Sequence, residues 1–169
     1  MILICYDGSE DARAAIAQAG ALFDGEPAII LTVWERFSDR LSRTPATLGM
    51  MAGMGDTADI DEATRQGAQQ TAEEGVGLAR QAGLDASPRI VERAFSISQA
   101  ILGAADRANA AAIVLGSRGL GGVGSFFLGS VSHAVVQHAD RAVLVIPSPA
   151  VAQRRNEQLR AEADASGRS

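Results

Sequence analysis

The feature that most constrains the fold is a glycine-rich loop lying between a strand pattern and a helix pattern. The apolar run Ala110 to Leu115 leads directly into Gly116-Ser117-Arg118-Gly119, and nine residues later Gly129-Ser130-Val131-Ser132 opens a helix-like segment. Glycines let a ligand approach the backbone closely, and a helix N-terminus adds unpaired N–H donors and the positive end of a dipole. Strand, loop and helix in this order predict a cradle for an anion, with a phosphate group as the expected ligand.

The class of phosphate loop is narrowed by the absence of lysine, since all fifteen basic residues are arginines. A Walker loop needs a lysine on the outer phosphates, so the sequence excludes that class together with lysine Schiff-base chemistry. Gly119 to Gly124 spells the dinucleotide pattern G-x-G-x-x-G, and Asp140 follows it. The acidic residue of that pattern belongs at the end of the next strand, whereas Asp140 precedes the strand at Ala142 to Ile146. The dinucleotide interpretation is therefore weak.

Composition limits the compartment and the partners. The net charge of −5 and the 4% of aromatic residues argue against a nucleic-acid surface, which needs a basic face or stacking platforms. Cys5 is the single cysteine and lies in the first apolar run, where a buried, inert thiol is expected. That run, Met1 to Tyr6, is too short for a signal peptide or a membrane span. We therefore expect a cytoplasmic protein with no nucleic-acid or membrane partner.

Short apolar runs alternate with longer helix-compatible segments, which is typical of an α/β domain with a parallel sheet. We predict one domain over 1–148, containing a mobile insertion at 35–58, and a polar tail at 149–169 that is a frayed helix or disordered. The predicted strands are Ile2–Tyr6, Ala28–Trp34, Pro88–Arg93, Ala111–Leu115 and Ala142–Ile146, and the predicted helices are Ser9–Leu22, Asp59–Ala82, Ser96–Ala108 and Ser130–Ala139.

These residues resemble the universal stress protein family. The resemblance rests on Cys5-Tyr6-Asp7-Gly8-Ser9-Glu10 after the first strand and on the G-x2-G-x9-G-[ST] signature that begins at Gly116, followed by Val143-Leu-Val-Ile-Pro147. It implies an open five-stranded parallel sheet of order 3-2-1-4-5, Rossmann-like, with helices on both faces. It also implies ATP binding and a homodimer paired through the last strand, 142–146. In that strand order the loops after Tyr6 and Leu115 face one crevice, where open α/β sheets bind ligands.

The resemblance implies individual roles at the first two strands. Tyr6 and Asp7 would lie beside the nucleotide, with Asp7 holding ribose hydroxyls or a Mg²⁺ that bridges the phosphates. The Asp-Gly context also fits a turn or cap residue ahead of the first helix. Val33 would read the adenine edge through its backbone; by its pattern alone it is a core valine.

The remaining implied site residues belong to the glycine-rich loop. Arg118 supplies a cation there, although an exposed arginine is often only solvated. The residues expected around the ribose and inner phosphates are Gly116, Ser117, Arg118 and Gly119, and those expected around the outer phosphates are Gly129, Ser130, Val131 and Ser132.

No catalytic set is recognisable. His133 and His138 stand five apart, which places them about 140° apart around a helix, so they cannot hold one metal together. No general base or pair of cations is placed for phosphoryl transfer. We therefore expect an ATP-binding switch or reservoir that acts in a stress response. The alternatives are a sensor of AMP or cyclic AMP and a slow ATPase. The protein partner of such a switch is not encoded in any motif of the chain.

Overall fold

The computed structural model describes residues 1–42, 57–120 and 128–166. Five strands and six helices lie within these ranges. The strands are β1 (Ile2–Cys5), β2 (Pro27–Trp34), β3 (Asp85–Glu92), β4 (Ala112–Gly116) and β5 (Ala142–Ile146), and the helices are α1 (Glu10–Leu22), α2 (Phe37–Ser42), α3 (Ala58–Gln81), α4 (Ile97–Arg107), α5 (Ser130–His138) and α6 (Pro149–Ser166).

The strands form a single parallel sheet in the order β3-β2-β1-β4-β5. This confirms the expected open α/β architecture. Ile2 of β1 pairs with Ala28 of β2 on one side and with Ala112 of β4 on the other. The direction of winding therefore reverses between β1 and β4, and the loops that follow these two strands leave the sheet side by side.

The two faces of β1 bury alternate residues. Ile2 and Ile4 pack in a cluster with α1 and α3, whereas Leu3 packs in a second cluster with α4 and α5. All three side chains are at most 3% exposed. Helices therefore cover both faces of the sheet, as a continuous apolar run in a parallel strand predicts.

Caps and an edge position explain several element boundaries. Ser9 caps α1, its hydroxyl accepting from the N–H of Ala12 at 3.2 Å. Ser96 caps α4 through the N–H of Gln99 at 3.1 Å. Strand β3 begins three residues before the predicted start at Pro88. A proline is tolerated inside β3 because this strand is an edge of the sheet.

Helices occupy the start of the predicted insertion and the tail, for which a frayed helix is one of the two predicted states. The start of the 35–58 insertion forms α2, where the N–H of Phe37 donates to Asp61 Oδ1 of α3 at 2.6 Å; residues 43–56 lie outside the described ranges. The polar tail is helical through Ser166, and its start is attached to the domain because Val151 is buried. Burial of Val151 in the first turn therefore attaches α6 to the domain, although the rest of this helix is polar. None of the helices in the described ranges combines the length and hydrophobicity that a membrane span requires.

Candidate functional site

A cleft of about 730 Å³ opens at the carboxyl ends of β1, β2 and β4. Its size suits a small organic ligand, and its place at the reversal of the winding is where such sheets bind ligands. Of the sequence-predicted site residues, only Ser117 is not part of the lining. The others are Tyr6, Asp7, Val33, Gly116, Arg118, Gly119, Gly129, Ser130, Val131 and Ser132.

Asp7 is exposed and joins two loops. Its Oδ1 accepts from the N–H of Ser9 at 3.0 Å, and its Oδ2 accepts from the N–H of Leu120 at 3.3 Å. The first contact is the turn geometry that its Asp-Gly context predicts. Each carboxylate oxygen can accept more than one hydrogen bond, so the turn contact leaves Asp7 able to take a further donor or a cation.

The hydroxyl of Tyr6 is directed away from the cleft. It donates to Glu74 Oε1 of α3 at 2.7 Å, and Arg13 of α1 donates to the same oxygen at 2.9 Å. Burial, followed by the contact with Glu74, raises the pKa of Tyr6 to about 12, so the hydroxyl remains a protonated donor. Neither Glu74 nor Arg13 lines the cleft. The hydroxyl therefore connects the end of β1 to α1 and α3 and does not face a ligand in the cleft.

Asp11 is the residue of this region that the sequence-based prediction missed. It lies in the first turn of α1, is 6% exposed, and places Oδ2 under the loop after β4. That oxygen accepts from Ser117 Oγ at 2.6 Å and from the N–H of Arg118 at 3.1 Å. A signal was present, because Asp11 occupies the same helical stripe as the buried residues Ala15 and Ala19. An unpaired carboxylate is not tolerated at such a position, so it required a polar partner.

Gly116 is a glycine for a different reason from the one expected. A Cβ there would lie 2.7 Å from the backbone carbon of Asp11 and 2.9 Å from the N of Ala12. The space that a side chain would need is therefore filled by α1 rather than kept for a ligand. At Gly119 the nearest atom to an added Cβ is Asp7 Oδ2 at 2.6 Å, the mobile end of an exposed side chain. Gly116 therefore sets the close approach of α1 to β4.

The N-terminus of α5 faces the cleft without a side-chain cap. Its N-cap, Gly129, donates its own N–H to the carbonyl of Ser117 at 2.8 Å, and Ser132 Oγ donates to the carbonyl of Gly116 at 2.8 Å. Within the described ranges, no acceptor is found for the backbone N–H groups of Ser130 and Val131. The helix thus presents unpaired donors beside the loop that follows β4.

The opposite end of the cleft is formed by the ends of β2 and β3. Arg93 contacts Glu35 Oε2 at 3.0 Å, and its backbone N–H donates to the carbonyl of Trp34 at 2.7 Å. Arg93 Nε is buried and has no hydrogen-bond partner among the residues that the structure describes. Val33 is half-buried, packs against the cluster beneath α4 and α5, and also lines the cleft. Val33 therefore fulfils the core role that its pattern predicts while its position borders the cavity.

Cys5 has the inert thiol that its place in an apolar run predicts. Burial, and then the charge of Asp7, raises the pKa of the Cys5 thiol to about 12, so it stays protonated. His133 and His138 are exposed. Across residues 1–42, 57–120 and 128–166, no group of three or more His, Cys, Asp or Glu side chains is arranged to hold a metal ion.

The sheet order and the cleft define an open α/β ligand-binding domain with its site at the topological switch point. The model of the universal stress protein family, described as "Universal stress protein family", matches residues 1–147. The chain belongs to this family.

A relative from Thermus aquaticus, described as "Universal stress protein in QAH/OAS sulfhydrylase 3'region", is 33% identical over 147 residues, which cover 86% of this chain and 96% of the relative. The universal stress protein from Archaeoglobus fulgidus in complex with dAMP has a TM-score of 0.58 and 22% identity over 86% of this chain and 95% of that chain. A universal stress protein in complex with cAMP has a TM-score of 0.56 and 24% identity over 87% of this chain and 96% of that chain. At these identities, the two structures support the fold.

Proposed function

We propose that this chain binds ATP in the cleft and acts as a nucleotide-dependent switch or reservoir in a cytoplasmic stress response. The observation that carries the proposal is the meeting of the loop after β4 and the uncapped N-terminus of α5 in one cleft. Backbone N–H groups at a helix N-terminus bind phosphate oxygens directly. The two nucleotide complexes among the structural relatives are consistent with an adenine nucleotide.

The residues that line the cleft suggest how a nucleotide would be oriented in it. The phosphates would lie against Arg118 and the N–H groups of Ser130 and Val131, and the base would lie toward Val33 at the end of β2. The ribose would fall between these ends, beside Asp7. The cavity extends from Arg118 to the apolar wall at the end of β2. Free phosphate would leave that wall uncovered, so we expect a nucleotide.

Magnesium would enter with the phosphates rather than through a protein cage. The donor set fits this mode, because Mg²⁺ is commonly held by one or two carboxylates and substrate phosphates, and Asp7 is an exposed carboxylate at the cleft. When bound, Mg²⁺ would neutralise part of the phosphate charge. Asp7 would orient it while keeping the turn contact with Ser9.

A sensor of AMP or cyclic AMP is the second candidate, and the charge balance favours it. Arg118 is the single charged residue between 116 and 132, whereas Asp7 and Asp11 both lie against this loop. Two carboxylates beside a loop that carries one guanidinium oppose a triphosphate more strongly than a monophosphate. ATP is therefore expected to depend on Mg²⁺ for tight binding, whereas cyclic AMP is not.

Calorimetric titration with ATP·Mg²⁺, AMP and cyclic AMP tests the assignment. We expect ATP·Mg²⁺ to bind most tightly, because AMP leaves the N–H groups at α5 without acceptors. Cyclic AMP binding well ahead of ATP·Mg²⁺ would transfer the function to the sensor. A parallel phosphate-release assay addresses the slow ATPase: turnover on the order of 1 per second or faster would identify an enzyme.

We further propose a homodimer through β5. This strand is the free edge of the sheet opposite β3, and its sequence Ala142-Val-Leu-Val-Ile146 carries no charge. The carbonyl of Ile146 accepts from Ser117 on the β4 side. Since the backbone groups of alternate residues point to opposite sides, those of Val143 and Val145 face outward. A second copy would satisfy them and close the assembly.

Val143→Pro removes one outward N–H without removing a bond to β4. We expect light scattering to give a dimer for the wild-type protein and a weakened dimer for the variant. Ser87→Ala in β3, the polar edge, is the control and should leave the assembly unchanged. A wild-type protein that is monomeric at micromolar concentration would contradict the proposed dimer.

A further inference from the structure

Asp11 is a buried carboxylate whose contacts all lead to the proposed phosphate end of the cleft. Its side chain is 8% exposed, and a single oxygen, Oδ2, accepts from Ser117 Oγ and from the N–H of Arg118. Arg118 Nε lies 3.9 Å from the same oxygen. A carboxylate so removed from water needs such partners, so these contacts are strong and directional.

Ser117 connects Asp11 to the N-terminus of α5. Ser117 binds Asp11 through its hydroxyl and accepts from the N–H of Gly129, the N-cap of α5, through its carbonyl at 2.8 Å. One residue therefore joins the first turn of α1 to the N-terminus that presents free donors. Movement of Asp11 would displace both the loop and the helix end.

The packing beneath Asp11 restricts such movement. An added Cβ on Gly116 would lie 2.8 Å from the Cβ of Asp11, which shows how closely β4 and α1 approach. The packing consequently fixes the Cβ of Asp11 relative to β4. The contacts with Ser117 and Arg118 then hold its acceptor oxygen.

We propose that Asp11 is the positioning residue of the phosphate loop, an inference that rests on the proposed nucleotide binding. Its oxygen holds Ser117 and the backbone of Arg118 in the geometry that receives phosphates, and the Arg118 guanidinium lies at ion-pair distance from the same oxygen. The role belongs to the acceptor oxygen and not to the negative charge. That charge lies behind the cradle and opposes the phosphates.

The separation of acceptor from charge makes the proposal testable with two variants. Asp11→Asn keeps an acceptor oxygen for Ser117 and Arg118 while removing the charge, whereas Asp11→Ala removes both. A structural role alone, such as a favourable charge at the start of α1, would affect folding but would not distinguish ligands with phosphates from ligands without them. Adenosine, which lacks phosphates, serves as the matched probe.

Titrations with ATP·Mg²⁺ and adenosine are compared across the wild-type protein and the variants. For Asp11→Ala we expect ATP affinity to fall by about 10-fold or more, because the donors of Ser117 and Arg118 lose their shared acceptor, and adenosine affinity to change by less than about 3-fold. Asp11→Asn should bind ATP within about 3-fold of wild type or more tightly. Glu10→Ala, which changes the exposed acidic neighbour in the same helical turn, should leave both affinities unchanged.

Three outcomes would overturn the inference: unchanged ATP affinity in Asp11→Ala, equal losses for ATP and adenosine, or an Asp11→Asn variant as weak as Asp11→Ala. If circular dichroism shows that Asp11→Ala does not fold, Ser117→Ala removes the other side of the same contact and must show the same selective loss of ATP affinity. A wild-type protein that binds neither ligand would instead reject the proposed function, so the two failures are distinguishable.

Discussion

The two ends of the cleft differ in how completely their buried polar side chains are paired. At the end formed by β1 and β4, Asp11, Ser117 and Ser132 are buried and hydrogen-bonded, and they connect α1, the loop and α5. At the end formed by β2 and β3, the Arg93–Glu35 pair is partly exposed, and Arg93 Nε has no partner within the described part of the chain. A buried hydrogen-bond network in which every group is paired makes a site rigid. A buried donor without a partner does not contribute to such a network.

Under the proposed function, this difference fits separate tasks for the two ends. The β1–β4 end has a fixed geometry that suits the repeated, directional contacts of phosphate oxygens. The β2–β3 end relies on cavity shape and apolar lining around Val33, which suits a flat base. Substitutions are therefore expected to have larger effects at the β1–β4 end, and three predictions test the contrast.

Gly116→Ala is expected to have the largest effect. The new Cβ would meet backbone atoms of Asp11 and Ala12 that cannot rotate away, since they belong to the first turn of α1. We expect a loss of about 2–3 kcal/mol in the free energy of unfolding, the upper range for overpacking. Urea unfolding measures it.

The control for Gly116→Ala is Gly77→Ala in α3, where no atom lies within 4 Å of an added Cβ. Because alanine has the higher helix propensity, this variant should gain up to about 1 kcal/mol. A Gly116→Ala protein as stable as the wild type would show that α1 can retreat from β4. The fixed geometry assigned to that end would then be incorrect.

Asp7→Ala is expected to have an intermediate effect, expressed in binding. Loss of a charged partner for the ribose or Mg²⁺ should weaken ATP·Mg²⁺ by about 1–3 kcal/mol. Asp7→Asn is the matched variant, since it retains an acceptor for the N–H of Ser9 while removing the charge. Titration of both variants, beside thermal unfolding without nucleotide, separates the roles. Full affinity with lowered thermal stability would assign Asp7 to the turn alone.

Arg93→Met is expected to have the smallest effect. The partly exposed ion pair with Glu35 contributes little, and the variant also removes the unpaired Nε. We expect the free energy of unfolding to change by about 0.5 kcal/mol or less. Arg89→Met, at an exposed position on β3, the strand that ends one residue before Arg93, provides the baseline in the same urea experiment. A loss above about 2 kcal/mol in the free energy of unfolding would show that the β2–β3 end is as sensitive to substitution as the β1–β4 end.

The sequence by itself determined the order of elements, the parallel sheet and the location of the site. Periodicity and apolar runs are local signals, so all five strands and the four predicted helices lie within a few residues of their expected places. The glycine signature and the residue after β1 were sufficient to indicate the cleft, because the carboxyl ends of neighbouring parallel strands must meet at one edge. The helical tail after Pro149 was not determined, since its polar pattern is compatible with both order and disorder.

Only the tertiary structure decided which groups meet inside that frame. Ser117 and Asp11 are 106 residues apart, and Tyr6 reaches Glu74 across 68 residues. No local pattern encodes such pairs, because they depend on which face of a helix is turned toward which strand. The same holds for Gly116. The sequence pattern suggests that a glycine is needed there to make room for a ligand, whereas the structure shows that α1 fills the space of the missing side chain. Local propensity places the elements, and burial of one element against another decides what each residue in the cleft contacts.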